Sequence, residues 1–154
     1  MGTPQVMKKE YNMHLDFSLP LGKAYTKWMQ ALKEKKILGN TCGKCGRIFV
    51  PAKPFCEICF EEPREWVEMD GRGIVESFTV CFEKFRNCPD PPYVVGIIRI
   101  GNAATCMTHF IGGLAYQRPE EIPDRIQIGM AVEPVWAEDR TGDPLDIAYF
   151  RPVK

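Results

Sequence analysis

Thr41-Cys42-Gly43-Lys44-Cys45-Gly46 and Phe55-Cys56-Glu57-Ile58-Cys59-Phe60 decide the reading of this chain. Together they spell C-x2-C-x10-C-x2-C, two pairs of thiols with the spacing of a four-sulfur metal site. A two-residue spacer lets both sulfurs of a pair face one ion across a tight turn. Four soft sulfurs select zinc, or iron if the cell supplies it. Cys42, Cys45, Cys56 and Cys59 are therefore the expected ligands of a structural Zn2+. With all four positions taken by protein atoms, none is left for a water nucleophile, so the metal organises structure rather than reacting. Gly46 follows the second cysteine, where a positive φ is often required, and Phe60 holds the equivalent place in the second pair. Arg47-Ile48-Phe49-Val50-Pro51 reads as the short strand of a zinc ribbon. Two disulfides or a redox C-x-x-C are the alternatives. The doubled motif, the missing βαβ context and an expected reducing compartment weigh against both.

Working toward the N-terminus, Leu21, Tyr25, Trp28 and Leu32 recur at helical spacing between Pro20 and Lys36, with lysines filling the other faces and Gly39 as the expected stop. A single helix this short needs a packing partner. Tyr11, Met13, Leu15 and Phe17 alternate with polar residues, which predicts an extended arm lying against a surface. Toward the C-terminus the pattern turns to β after Glu65-Trp66-Val67. Strands are expected over 74–82, 93–100, 104–111, 129–136 and 147–150, with a proline-rich loop at 87–92. Five short strands with glycines at their bends suit an OB-fold barrel, and a small β-sandwich reads similarly. The predicted class is mainly β with an N-terminal α-helix: a rubredoxin-like zinc ribbon followed by a five-stranded OB-fold barrel. The expected divisions are 1–39 (arm and helix), 40–66 (ribbon) and 67–154 (barrel).

Composition narrows the function. The chain has 154 residues, 45% hydrophobic and 26% charged, as a folding domain should be, with 20 Lys+Arg balanced by 20 Asp+Glu. That balance disfavours a dedicated nucleic-acid binder. It conceals a split: residues 1–60 hold ten Lys/Arg against four Asp/Glu, a surplus of six positive charges, and residues 61–154 hold ten against sixteen, a deficit of six. There is no 18-residue apolar run and no signal-peptide pattern at the start, so no membrane association and a cytoplasmic location are expected. Among the seven cysteines, three are left once a metal takes four. Cys81 and Cys106 fall in apolar strand patterns and are expected to be buried and inert, and Cys88 falls in the proline-rich loop. His14 and His109 are the only histidines and are assigned structural or surface roles. Walker, GxGxxG and HExxH segments are missing, so the chain offers no visible reason to be a catalyst alone.

The order helix, four-cysteine ribbon, small barrel resembles the acyl-CoA-associated zinc-ribbon/OB-fold family, long catalogued as a domain of unknown function. The resemblance rests on Leu38-Gly39-Asn40-Thr41-Cys42-Gly43-Lys44-Cys45-Gly46, Pro51, Cys56 and Cys59, then Trp66 before Gly71-Arg72-Gly73, Ser77-Phe78-Thr79, Pro92-Tyr93, Gly129-Met130-Ala131-Val132, Phe150 and Pro152. It covers residues 20–152 and implies a non-catalytic, zinc-binding accessory subunit. Its partner would be a larger thiolase-like catalytic subunit that carries the reactive Cys and His. The small subunit would brace that partner and help form the binding region for coenzyme A or an acyl-CoA, in acyl-CoA catabolism that includes anaerobic aromatic degradation. An acyl-CoA hydratase or a thiolase-like aldolase is the alternative partner, and a single-stranded nucleic-acid-binding OB module the alternative function. Lys44, Arg47 and Lys53 flank the ribbon in the basic half and are the candidate contacts to CoA phosphates.

Overall fold

The computed structural model describes residues 7–13 and 15–153; His14 lies outside them. Helix α1 (Gly22–Lys33) presents Trp28, Ala31 and Leu32 to the interior. The rest of the apolar stripe, Leu21 and Tyr25, emerges at the surface. The helix ends earlier than Gly39. Lys35 takes the left-handed conformation at φ 59°. Its N–H then bonds to Leu32 O at 2.9 Å and that of Lys36 to Ala31 O at 3.0 Å, the paired bonds of a Schellman cap made without glycine. The Arg140 guanidinium, from a distant loop, also donates to Lys33 O at 2.9 Å.

Gly39 instead sits inside strand β1 (Ile37–Thr41). A Cβ there would come within 2.7 Å of Ile48 Cγ2, so only glycine lets the neighbouring strand approach. β1 pairs antiparallel with β2 (Ile48–Phe49) and β3 (Glu65–Met69), giving the order β2-β1-β3. The sequence pattern predicts β2 but neither β3, which begins at Glu65 where β was expected only after Val67, nor β1, whose Gly-Asn centre is poor strand material.

The remaining strands are β4 (Gly73–Cys81), β5 (Tyr93–Ile100), β6 (Met107–Ile111), β7 (Ala131–Trp136) and β8 (Ile147–Pro152). They form a hydrogen-bonded ring in the order β4-β5-β6-β8-β7. This is the OB order, with β6 and β8 parallel and the other neighbours antiparallel. Two seams of the ring are thin. β4 pairs with β7 at Gly73 and Ile74, and Val75 extends that seam by donating to Met130 O at 3.0 Å and accepting from Gly129 N–H at 2.8 Å; β6 meets β8 at Ile111 opposite Phe150, where Gly112 N–H adds a bond to Phe150 O at 2.8 Å. A short helical turn, Pro119–Arg125, tucks Ile122 into the barrel between β6 and β7.

Helix, ribbon and barrel share one apolar core. Trp28, Leu32 and Ile37 pack in the same cluster as Val50, Val75, Ile98, Val132 and Phe150. Polar bonds tie the same seam. The Thr105 hydroxyl accepts from Val50 N at 2.9 Å and donates to Val50 O at 3.0 Å, and Ala104 N–H donates to Ile48 O at 2.7 Å. The arm departs from expectation: Tyr11, Met13, Leu15 and Phe17 are all exposed and do not pack on the other described residues. Among the described residues, no helix is long and apolar enough to cross a membrane.

Candidate metal centre and its surroundings

The two cysteine pairs fold into matching knuckles. In the first, Gly46 N–H bonds to Cys42 O at 2.8 Å and Cys42 N–H to Arg47 O at 2.9 Å. In the second, Phe60 N–H bonds to Cys56 O and Cys56 N–H to Glu61 O, both at 2.8 Å. The closing residue has φ 70° at Gly46 and φ 57° at Phe60. Phe60 thus adopts the left-handed turn that its side chain resists, and its ring lies in solvent.

All four Sγ atoms lie within 4.8 Å of one another, and Cys45 Sγ is 3.8 Å from Cys56 Sγ. Zinc–sulfur bonds of about 2.3 Å in a tetrahedron require sulfur–sulfur edges of about 3.8 Å, so the spacing suits this ion. Cys42 and Cys56 are buried against Phe49, Cys59 is half-buried and Cys45 is open to solvent. The Cys45 backbone N–H, aided by that of Lys44 and acting against burial, brings the Cys42 thiol down to about 7. Burial, and then hydrogen bonding with the other three sulfurs, pushes Cys59 up to about 12. Cys42 thus ionises readily while Cys59 is held protonated, and a divalent cation would stabilise the thiolate form of both.

The candidate cations around the ribbon do not form one group. Lys44 and Arg47 are exposed on the first knuckle. Lys44 borders a depression shared with Glu61, Glu62, Arg64 and Glu65. Lys53 lies elsewhere, in a cleft lined by Lys23, Ala24, Lys27, Pro54, Glu62, Pro63, Arg64 and Trp66. Its ammonium is 2.6 Å from Glu57 Oε2. The buried Asn40 side chain holds its backbone from both sides, donating to Lys53 O at 2.7 Å and accepting from Lys53 N at 3.0 Å. Sequence reading passed over Lys23, Lys27, Arg64 and Asn40 as site residues. The i,i+4 lysine pair on α1 was the available signal, but only the fold brings it to the ribbon.

Cys106 and Cys81 differ from the expectation of buried thiols, whereas Cys88 lies in the predicted loop. Cys106 is exposed and precedes β6 by one residue, Cys81 is half-buried at the end of β4, and Cys88 is half-buried within its loop. For Cys106, the β-alternation that suggested a buried thiol starts only at Met107. His109 has a structural role. It is buried in β6 against the Phe150 ring, with Nε2 at 3.0 Å from Pro144 O and Nδ1 accepting Phe110 N–H at 2.9 Å. These bonds fix the tautomer with the proton on Nε2. Burial lowers its pKa below 6.5, outweighing its bonds to Pro144 and Phe110. Below that value the unfolded chain binds the proton more readily, so folding stability is intact above pH 6.5 and falls on acidification. The urea midpoint is expected to drop from pH 7.5 to pH 5.5, and His109→Gln to reduce the drop; an equal acid loss in the variant would rule out this source.

Against proteins already described, two family models match in tandem. Residues 29–63 match the ChsH2 rubredoxin-like zinc ribbon domain, and residues 66–137 the ChsH2 C-terminal OB-fold domain. A Thermomonospora curvata protein described as a probable enoyl-CoA hydratase alpha subunit is 29% identical over 127 residues, 82% of this chain. The chain spans only 36% of that relative's length. A Pyrococcus furiosus DUF35 domain-containing scaffold protein is 24% identical over 131 residues, covering 82% of this chain and 90% of its own. Among solved structures, a chain of the Ltp2-ChsH2(DUF35) aldolase superposes with a TM-score of 0.63 at 27% identity, over 85% of this chain and 95% of its own. A Sulfolobus solfataricus DUF35 protein of unknown function superposes with a TM-score of 0.62 at 26% identity, over 85% and 84%.

Proposed function

Because the chain belongs to the ChsH2/DUF35 family of zinc-ribbon and OB-fold proteins, we propose that it is the non-catalytic, zinc-holding subunit of an acyl-CoA enzyme complex. The observation that carries this reading is the closed sulfur set, Cys42, Cys45, Cys56 and Cys59, which leaves a bound ion no open position for chemistry. In this reading the ion is Zn2+ and its work is structural. It pins the two knuckles so that the ribbon presents a fixed face beside the barrel. The one strongly buried histidine among the described residues is spent on backbone bonds, which also argues against a catalytic centre within the chain.

The partner in this proposal is a larger, thiolase-type catalytic subunit that supplies the nucleophilic cysteine. The subunit braces that partner and lines part of the entrance for coenzyme A, with Lys44, Arg47 and Lys53 as phosphate contacts. A hydratase or aldolase partner is the second reading, favoured by the descriptions of the Thermomonospora relative and of the aldolase chain. In the test, the isolated chain is expected to leave acyl-CoA thioesters unchanged, and turnover to require the larger subunit. In the assembled complex, Lys44→Glu with Arg47→Glu is expected to raise KM for acyl-CoA by about ten-fold with little change in kcat. Turnover by the isolated chain contradicts the non-catalytic reading; an unchanged KM removes these two cations from it.

A further inference from the structure

We infer that the arm preceding α1 is a docking strand: residues 11–19 add to the exposed edge of a β-sheet on the larger subunit, so the inference rests on the partnership proposed above. Tyr11, Met13, Leu15, Phe17 and Leu19 hold every second position, with Asn12, His14, Asp16 and Ser18 between them. In an extended chain this alternation puts all the apolar side chains on one face. Each of them is 70–80% exposed. The face continues onto the start of α1, where Leu21 and Tyr25 also stand outside the shared core. The arm backbone is free as well: among the described residues, no backbone hydrogen bond involves residues 7–20.

Area, length and charge decide what covers this face. Tyr11 and Phe17 offer about 150–250 Å² each. With Met13, Leu15 and Leu19 the arm presents on the order of 800 Å², one side of a stable protein interface. Extended, residues 11–19 span about 30 Å. A second copy of this chain has no edge to match. Every strand of the ring has two neighbours, and the edge strands of the ribbon sheet are β2, of two residues, and β3, of five. A different protein with a longer free edge fits. Main-chain bonds along that edge would give affinity, and pockets for the alternate side chains specificity. A lipid surface fits less well. Lys8 and Lys9 are offset by Glu10 and Asp16, which leaves no positive surplus for anionic headgroups. Hydrocarbon would also leave an extended backbone without hydrogen-bond partners, which a sheet edge supplies.

The test separates the zinc-loaded full chain from the larger subunit that it recovers and then recombines the two. In the recombined complex, residue-resolved amide exchange is expected to slow at alternate positions over residues 11–19, the signature of an edge strand, while the separated chain exchanges fast there. Tyr11→Ser with Phe17→Ser is expected to weaken recombination about thirty-fold or more, and Asn12→Ser with Asp16→Ser to leave it within about two-fold. All four positions are exposed, so zinc content and the urea midpoint should not move. The separated chain is expected to sediment as a monomer and to ignore vesicles of phosphatidylserine and phosphatidylcholine. An arm-dependent dimer or arm-dependent vesicle binding overturns the inference. So does a complex whose arm amides exchange fast or slow without alternation, an outcome that leaves the subunit reading standing. Alternate protection in a complex with no acyl-CoA turnover supports the docking strand and overturns the subunit reading. A chain that recovers no larger protein overturns both.

Discussion

Cys56→Ser is expected to lose bound zinc and, with it, the structure of residues 42–60. Cys56 is buried with Cys42 against Phe49, and these three residues, with Cys59 packed beside them, are the whole interior of the ribbon tip. So small an apolar cluster cannot hold the knuckles without the ion, because apparent zinc affinities of about 10–16 kcal/mol are what fold such units. Serine keeps the shape but offers a hard, protonated oxygen that binds zinc poorly at neutral pH. Zinc per chain is expected to fall from one to a small fraction after exposure to a mild chelator. Amide exchange should rise in 42–60 while β5 and β6 stay protected, since the barrel strands pair among themselves. Full zinc stoichiometry in the variant would contradict the assignment of these sulfurs.

The second large effect belongs to Trp28→Ala. Trp28 is 2% exposed, is the largest fully buried side chain and touches the core that helix and barrel share. Its ring meets Tyr25 edge-on, with centroids 6.4 Å apart. Removing it leaves a cavity that rigid β-structure cannot collapse, and Trp→Ala changes of this kind cost about 3–5 kcal/mol. Urea denaturation of the zinc-loaded protein checks the figure. Zinc content is expected to hold, because Trp28 lies outside the cluster that surrounds the sulfurs. A loss below about 1 kcal/mol would mean that α1 is not part of the shared core. The helix would then also stop positioning Lys23 and Lys27 over the cleft.

Much of this was legible in the sequence because the physical cause was local. C-x2-C spacing specifies a knuckle whatever surrounds it, and the structure brings those four sulfurs together. Runs of β-branched residues between glycines and prolines marked all five barrel strands, β5 at its observed bounds. The failures were non-local. β1 has weak strand propensity and exists because Ile48 and Trp66 flank it, contacts set by residues distant in sequence. The end of α1 was missed because Lys35, a side chain that disfavours positive φ, takes the turn that glycine usually takes. Cys106 read as buried because alternation was extended three residues too far, back to Ala104. The cleft around Lys53 was invisible for the same non-local reason. Its cations are dispersed from residue 23 to residue 64 and converge only through the fold.

The role proposed for this chain is that of the zinc-holding member of a complex whose catalysis resides in a larger subunit. Its most direct test is affinity purification of the tagged full-length chain from its native cells, followed by native mass spectrometry of the zinc-loaded product. A stoichiometric assembly with a larger protein is expected, with acyl-CoA turnover in that fraction and none in the separated chain. Recovery of the 17.6 kDa chain alone, with no acyl-CoA activity accompanying it at any salt concentration, would contradict it.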